Sequence, residues 1–336
     1  MKKILAILSA ILLLILPSCN NQSPKSDNPT DTSPLTGITE ISTQKEKNEK
    51  STETQESTPE DIEKNKINSM EKLTDIEEVI SVTKQSFSTQ TNYALAYKVL
   101  YETQNGKLSA DVVLPKDYTF SNKNYPVLIY FPQLNISIDE LASKYALNGI
   151  IAIRPYARGY GDSEGMRDLG GEKDLFDAKK LLEIFDSANF IKNSKIFVAG
   201  SSEGSITAMR LFAEDSSKRI SGCAVVDVIS DLPAFGEFRG DGIKNLLTSL
   251  IGKSYEEATE EYDLRSAVKF SQKLDRPILI LHYLQNPLVS IEQPDALYNL
   301  IKDANPDCAY YKIDELSADF QGESSQRLLS FISKYD

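Results

Sequence analysis

The stretch that most constrains the fold is residues 195–204, Lys-Ile-Phe-Val-Ala-Gly-Ser-Ser-Glu-Gly. Ile196, Phe197, Val198 and Ala199 form a short, unbroken apolar run, as a buried parallel strand requires. Gly200-Ser201-Ser202-Glu203-Gly204 then fits the pattern G-x-S-x-G, and Ile206, Met209, Phe212 and Ala213 follow at helical spacing. Strand, sharp turn and helix in that order is the context of a nucleophile elbow. Ser202 stands at the tip, and the backbone N–H of Glu203 is aimed where an oxyanion would form. Such a turn demands a small residue between glycines whether or not chemistry follows. The motif therefore speaks to fold first.

The N-terminus carries a different instruction. Met1-Lys2-Lys3 is a basic start, and residues 4–16 are an apolar core too short for a mature membrane span. It runs into Leu16-Pro17-Ser18-Cys19, which resembles a bacterial lipobox. That resemblance implies a signal peptide over 1–18, cleavage before Cys19 and lipidation of Cys19. The competing reading is an ordinary secretory signal with an incidental cysteine. A lipid would anchor the chain rather than make it span, placing it in a bacterial cell envelope on the extracytoplasmic side.

Residues 20–85 contain no aromatic side chain and are rich in Ser, Thr, Asn, Lys and Glu. A segment of that composition buries too little surface to fold alone, so 19–86 reads as a polar, disordered linker. Thr58-Pro59 offers a helix start, and Ile62, Ile67, Met70, Leu73, Ile76 and Ile80 follow at roughly helical spacing. A short stalk helix is the alternative there.

Residues 87–336 are apolar enough, and at roughly 250 residues long enough, for one large α/β domain. The chain carries 49 acidic against 37 basic residues, a net charge of −12. That balance excludes nucleic acid, and anionic lipid through a basic face. Besides Cys19 there are Cys223 and Cys308, each in a strand-like apolar run and read as core thiols, a single disulfide being the alternative. There is no Cys-x-x-Cys and no histidine cluster, so neither a metal nor a cofactor is expected.

The Asn105-Gly106 pair between apolar-patterned runs at 93–102 and 107–114 predicts an antiparallel hairpin. Strands follow at 127–131, 150–153, 196–199, 223–226, 277–282 and 308–313, with helices predicted at 138–147, 172–187, 291–302 and 323–334. Residues 231–270 form an irregular, partly helical excursion where a lid would be inserted. Alternating strands and helices after a hairpin predict a mostly parallel sheet covered on both faces.

With Arg158-Gly159-Tyr160-Gly161-Asp162-Ser163-Glu164-Gly165, the elbow, Leu264-Arg265-Ser266-Ala267 and the stretch 277–290 in place, the domain resembles an α/β-hydrolase of the prolyl oligopeptidase and dienelactone hydrolase group. The resemblance covers residues 93–336. It implies Ser202 as nucleophile, but it sets Asn286 at the triad-acid position and Ala318 at the triad-base position. The strand ending at Phe131 leads into Pro132-Gln133, where the family offers a second oxyanion amide, and proline has no N–H. The chain holds a single histidine, His282, at a strand-end position. It is either a packed structural residue or a substitute base for Ser202. Asp319, next to Ala318, would be an ordinary carboxylate with a pKa near 4, poorly matched to deprotonating serine. Asp162 and Glu164 read as loop residues facing solvent rather than an acid/base pair. The Glu203 carboxylate would project into the remnant pocket and suit a cationic or hydroxylated ligand.

The strand order of that family puts one strand between those carrying Cys223 and Cys308. Two spacings of about 4.8 Å exceed the roughly 7 Å that a disulfide tolerates between Cα atoms. The reading that results is a lipid-anchored protein with a degraded triad, binding a small molecule, a peptide or a protein. An active serine hydrolase with an unusual base, and a purely structural envelope lipoprotein, are the competing readings.

Overall fold

A computed structural model describes residues 67–119, 124–133, 135–315, 317 and 319–336. Nine strands form one sheet: β1 (Val79–Gln85), β2 (Ala94–Thr103), β3 (Gly106–Pro115), β4 (Val127–Phe131), β5 (Ile151–Pro155), β6 (Ile196–Ser201), β7 (Ile220–Val226), β8 (Ile278–Tyr283) and β9 (Cys308–Ile313). Their order is β1-β2-β3-β5-β4-β6-β7-β8-β9. β1, β2 and β3 pair antiparallel, as do β3 and β5, and every pairing from β5 through β9 is parallel. Asn105-Gly106 turns the β2–β3 hairpin, with Gly106 at φ +114°, a conformation that a side chain would resist.

The helices are α1 (Ile138–Lys144), α2 (Glu172–Asp186), α3 (Gly204–Ala213), α4 (Leu232–Arg239), α5 (Asp241–Ile251), α6 (Thr259–Asp263), α7 (Glu292–Ile301) and α8 (Glu323–Tyr335). Strand alternation sends Ile196 and Val198 into one apolar layer with Leu181, Phe185, Met209 and Leu297 of α2, α3 and α7. Phe197 and Ala199 enter the opposite layer with Leu141 of α1 and Leu328 and Ile332 of α8. This is the α/β-hydrolase fold, and the predicted sheet with helices on both faces is what forms.

The excursion after β7 is more regular than its sequence suggests. Asp231 caps α4 by accepting from the Ala234 N–H at 3.0 Å. Leu232, Phe235, Ile243 and Leu247 of α4 and α5 then close over Ile206 and Ile229 as a separate apolar cluster above the elbow. Arg265 and Ser266 hold its base, Ser266 Oγ accepting from the Leu232 N–H at 3.0 Å.

The folded domain starts earlier than residue 87. Met70 and Leu73 are fully buried around a short 3-10 turn, Glu71–Asp75. Instead of continuing a stalk helix, the chain becomes β1, where Ile80 points outward, 43% exposed. The run Val79-Ile80-Ser81-Val82-Thr83 is β-branched nearly throughout, and β2 offers it an edge to pair with. Burying Met70 and Leu73 contributes about 1.5–3 kcal/mol each. Cys19, Thr58, Pro59 and Ile62 lie outside the described residues.

Cys223 and Cys308 are both free. Each is in register with Ile278 on the intervening β8, so the expected separation by one strand holds.

Candidate functional site

The elbow is built by steric exclusion. A Cβ on Gly200 would lie 2.4 Å from the Gly204 carbonyl oxygen, and one on Gly204 would lie 2.1 Å from that of Phe131. Between them Ser202 adopts φ +48°, a strained conformation for a residue with a side chain. Its N–H donates to the Val226 carbonyl at 3.0 Å. Ser202 is almost buried, and among the described residues its Oγ has no hydrogen-bond partner. The nucleophile position is formed and unassisted.

One oxyanion donor survives in geometry. No described residue accepts the Glu203 N–H, which stands at the start of α3. Among the described residues the loop after β4 supplies no second one. Pro132 has no N–H, and the next amide, that of Gln133, donates to Ser201 Oγ at 2.7 Å. Both amides of that loop are therefore unavailable to a substrate oxygen.

His282 lies near the end of β8, with β7 between it and the elbow strand, so the two strands stand about 9.6 Å apart. Its Nδ1 is 3.0 Å from Asp227 Oδ1, out of line for a hydrogen bond, and both side chains are buried. Asp227 Oδ1 accepts the Tyr283 N–H at 3.0 Å, fastening β7 to β8. The imidazole is thus packed against a strand-end carboxylate and is not brought to Ser202. Asp227, which the sequence reading missed, follows directly on the apolar run Cys-Ala-Val-Val. A carboxylate at the C-terminal edge of a parallel strand was the available signal.

Asn286 is likewise committed. Its Oδ1 accepts from the Leu288 N–H at 2.8 Å and the Val289 N–H at 3.3 Å, closing its own loop. Ala318 lies outside the described residues. Asp319 departs from the expected ordinary carboxylate: burial pushes its pKa up to about 7, against the lowering effect of the Phe320 N–H that it accepts at 3.0 Å. Its φ is +68°.

Asp162 and Glu164 are not an acid/base pair. Asp162 meets Lys98 at the surface, 2.7 Å away. Glu164 is less free than expected, since its Oε2 accepts the Lys107 N–H at 3.1 Å and clamps the hairpin.

Two chambers flank the elbow. A slot of about 30 Å³ takes in Ser202, with Ile229, Leu232, Phe235 and Leu247 around it. On the other side lies a cavity of about 580 Å³, walled by Phe131, Pro132, Tyr156 and Tyr160, with Glu203 and Thr207 on its α3 side. Glu203 lines both chambers, Ser202 the small one alone, and neither His282 nor Asp319 lines either. The Glu203 carboxylate does project into the large cavity's wall, but it is paired there with Arg167. Arg167 gave no sequence signal, because its partner is 36 residues away. Among the described residues no group of histidine, cysteine and acidic side chains is arranged to hold a metal ion, and no helix is long and apolar enough to cross a membrane.

No known protein-family profile matches the chain. The uncharacterized peptidase YtmA of Bacillus subtilis (strain 168) is 24% identical over 194 residues, spanning 57% of this chain and 74% of that protein. An acetyl xylan esterase from Paenibacillus sp. R4 superposes with a TM-score of 0.63 at 16% identity, over 78% of this chain and 91% of the esterase. Porphyromonas gingivalis dipeptidyl peptidase 4 gives a TM-score of 0.57 at 18% identity, over 73% of this chain and 36% of the peptidase. Fold and neighbours together define the class: an α/β-hydrolase fold, shared with proteins named as esterases and peptidases.

Proposed function

We propose that this protein is a binding protein on an α/β-hydrolase frame, anchored to the cell envelope through Cys19 and without serine-hydrolase activity. The observation that carries the reading is that the groups at the catalytic positions are absent or committed elsewhere. Asn286 closes its own loop, His282 is packed against Asp227, and the Gln133 amide is held by Ser201. A serine hydroxyl needs a neighbouring base to attack at neutral pH, and loss of the triad base costs on the order of a million-fold in turnover.

Full-length protein should leave a fluorophosphonate probe unreacted and hydrolyse p-nitrophenyl acetate at a background rate that Ser202→Ala does not change. Turnover at an ordinary enzymatic rate, abolished by Ser202→Ala, would end this reading. The rival reading, a peptidase or esterase like the named neighbours that uses Ser202 with a non-standard base, draws on the formed elbow, with Ser202 at φ +48° and the Glu203 N–H at the start of α3. Loss of that turnover in Asp319→Asn would identify Asp319 as its base. For the anchor, Cys19→Ala should move the protein out of the membrane fraction, and wild type found free of lipid would contradict it.

A further inference from the structure

The large cavity beside the elbow says more than that something binds. Its volume of about 580 Å³ falls within the roughly 300–1,000 Å³ of small-molecule sites. Its walls are largely apolar and aromatic, and its cations are all matched. Arg154 pairs with Asp111, Arg158 with Asp177 and Arg167 with Glu203, each at close contact. Asp174 is the exception. It stands in the first turn of α2, enclosed by protein yet keeping accessible surface, and it lines the cavity. Its Oδ2 accepts the Gly170 N–H at 2.8 Å, and among the described residues no hydrogen bond reaches Oδ1 and no cation forms an ion pair with it.

Arg154 is matched from behind by Asp111, which lies outside the lining, and Arg158 and Arg167 by Asp177 and Glu203, so of the cavity's own carboxylates Asp174 is left without an ion-pair partner among the described residues. The groups that face Asp174 are Asp168 from the preceding loop, Asp177 from α2, Glu203 from the elbow and, with opposite sign, Arg167. Burial pushes the Asp174 carboxyl up to about 6, against the lowering effect of the Gly170 N–H and with smaller help from the three carboxylates. A buried carboxylate without a cation is costly, and a ligand cation is the group that would relieve it.

We infer that this cavity binds a small molecule carrying an ammonium group on an aromatic or apolar body, with the ammonium at Asp174, beside the Arg167–Glu203 pair, and the body against Tyr156, Tyr160 and Phe131. The guanidinium of Arg154 lies over the Tyr156 ring, 4.2 Å from its centroid, and that of Arg167 over the Tyr160 ring at 5.9 Å, so these rings offer the ligand's body apolar contact while Asp174 supplies the charge. The site does not need Ser202, which lies outside the cavity. This inference rests on the binding-protein reading and gives its ligand a chemistry.

The test is calorimetric titration of the full chain with phenethylamine and tyramine, beside their neutral and anionic counterparts, 2-phenylethanol and 3-phenylpropionate. The amines should bind, and the alcohol and acid should bind at least about tenfold more weakly, as expected for loss of one charge-assisted contact. Asp174→Asn, which keeps an oxygen for Gly170, should lose amine affinity by a similar factor. Should that variant fail to fold by thermal melt, Glu203→Gln is the second arm. It frees Arg167 and should shift preference from amine to carboxylate. Amines that do not bind, or whose binding ignores both substitutions, overturn the inference while leaving the absence of hydrolysis intact. Amine binding that depends on Asp174, in a protein whose Ser202 nonetheless reacts with fluorophosphonate, sinks the non-catalytic reading and leaves this one standing.

Discussion

The two halves of the sheet's C-terminal edge have fared differently. At β6 the elbow is complete to its steric detail: two glycines without room for a Cβ, a serine at φ +48° and a free amide at the start of α3. After β8 the turn is held by an amide rather than a carboxylate. Asn286 holds its turn, and His282 rests against Asp227. The difference teaches that packing alone preserves an elbow, because β6, α3 and Phe131 cannot meet otherwise. Nothing in the packing of the later loops requires an acid or an imidazole.

The strongest way to break this comparison is Gly204→Ala. If packing holds the elbow, the new methyl must push against the Phe131 carbonyl and should destabilise the domain by about 3 kcal/mol. A variant that unfolds in urea at the wild-type midpoint would show that the elbow has slack, and that something other than packing keeps it.

A smaller effect sharpens the other half. The folded-state pKa of Asp319, about 7, lies above its ordinary 3.8, so the folded chain holds a proton that the unfolded chain releases. Stability contributed this way is present at low pH and is lost as pH rises from about 4 to about 7. Asp174 acts in the same direction up to about 6. Asp319→Asn carries no titratable proton, and urea midpoints measured at about pH 5 and about pH 8 should differ less for it than for wild type. An unchanged difference would mean that Asp319 is an ordinary, solvated carboxylate.

The smallest effect is expected from Asn286→Asp. The carboxylate keeps an oxygen for the Leu288 and Val289 amides, so the unfolding free energy from urea melts should stay within about 0.5 kcal/mol of wild type. Esterase activity should not appear. A large loss of stability would show that the amide itself is needed there, and the contrast between the two halves would narrow.

The sequence made the elbow legible because strand, turn and helix are local, and their spacing is their signal. It made the commitment of Asn286 visible only as a missing carboxylate, since the loop that the amide closes depends on backbone geometry. The composition of 20–85 reads as linker, with a stalk helix as the alternative because Met70, Leu73 and Ile76 recur at helical spacing, whereas 79–85 form β1 through an edge that β2, distant in sequence, provides. The large cavity was invisible for a related reason. Its defining pairs, Arg154 with Asp111 and Arg167 with Glu203, join residues 43 and 36 positions apart.

The early start of the domain also has a mechanical meaning. A pull on the chain from its N-terminal side would reach the sheet at the Val79–Tyr101 end of β1, where rungs open one at a time like a zip. Before the first rung is loaded, two side chains must be drawn out of the core, Met70 and Leu73, and the bond from the Met70 N–H to Tyr118 Oη, 2.9 Å long, must break. Tyr118 is braced in turn by the edge of Phe190, with ring centres 5.1 Å apart. Resistance to force is a matter of unfolding rate rather than of equilibrium stability. Any tension applied from the N-terminal side would therefore be met first by these residues, at the rim of the domain, before it reached the sheet.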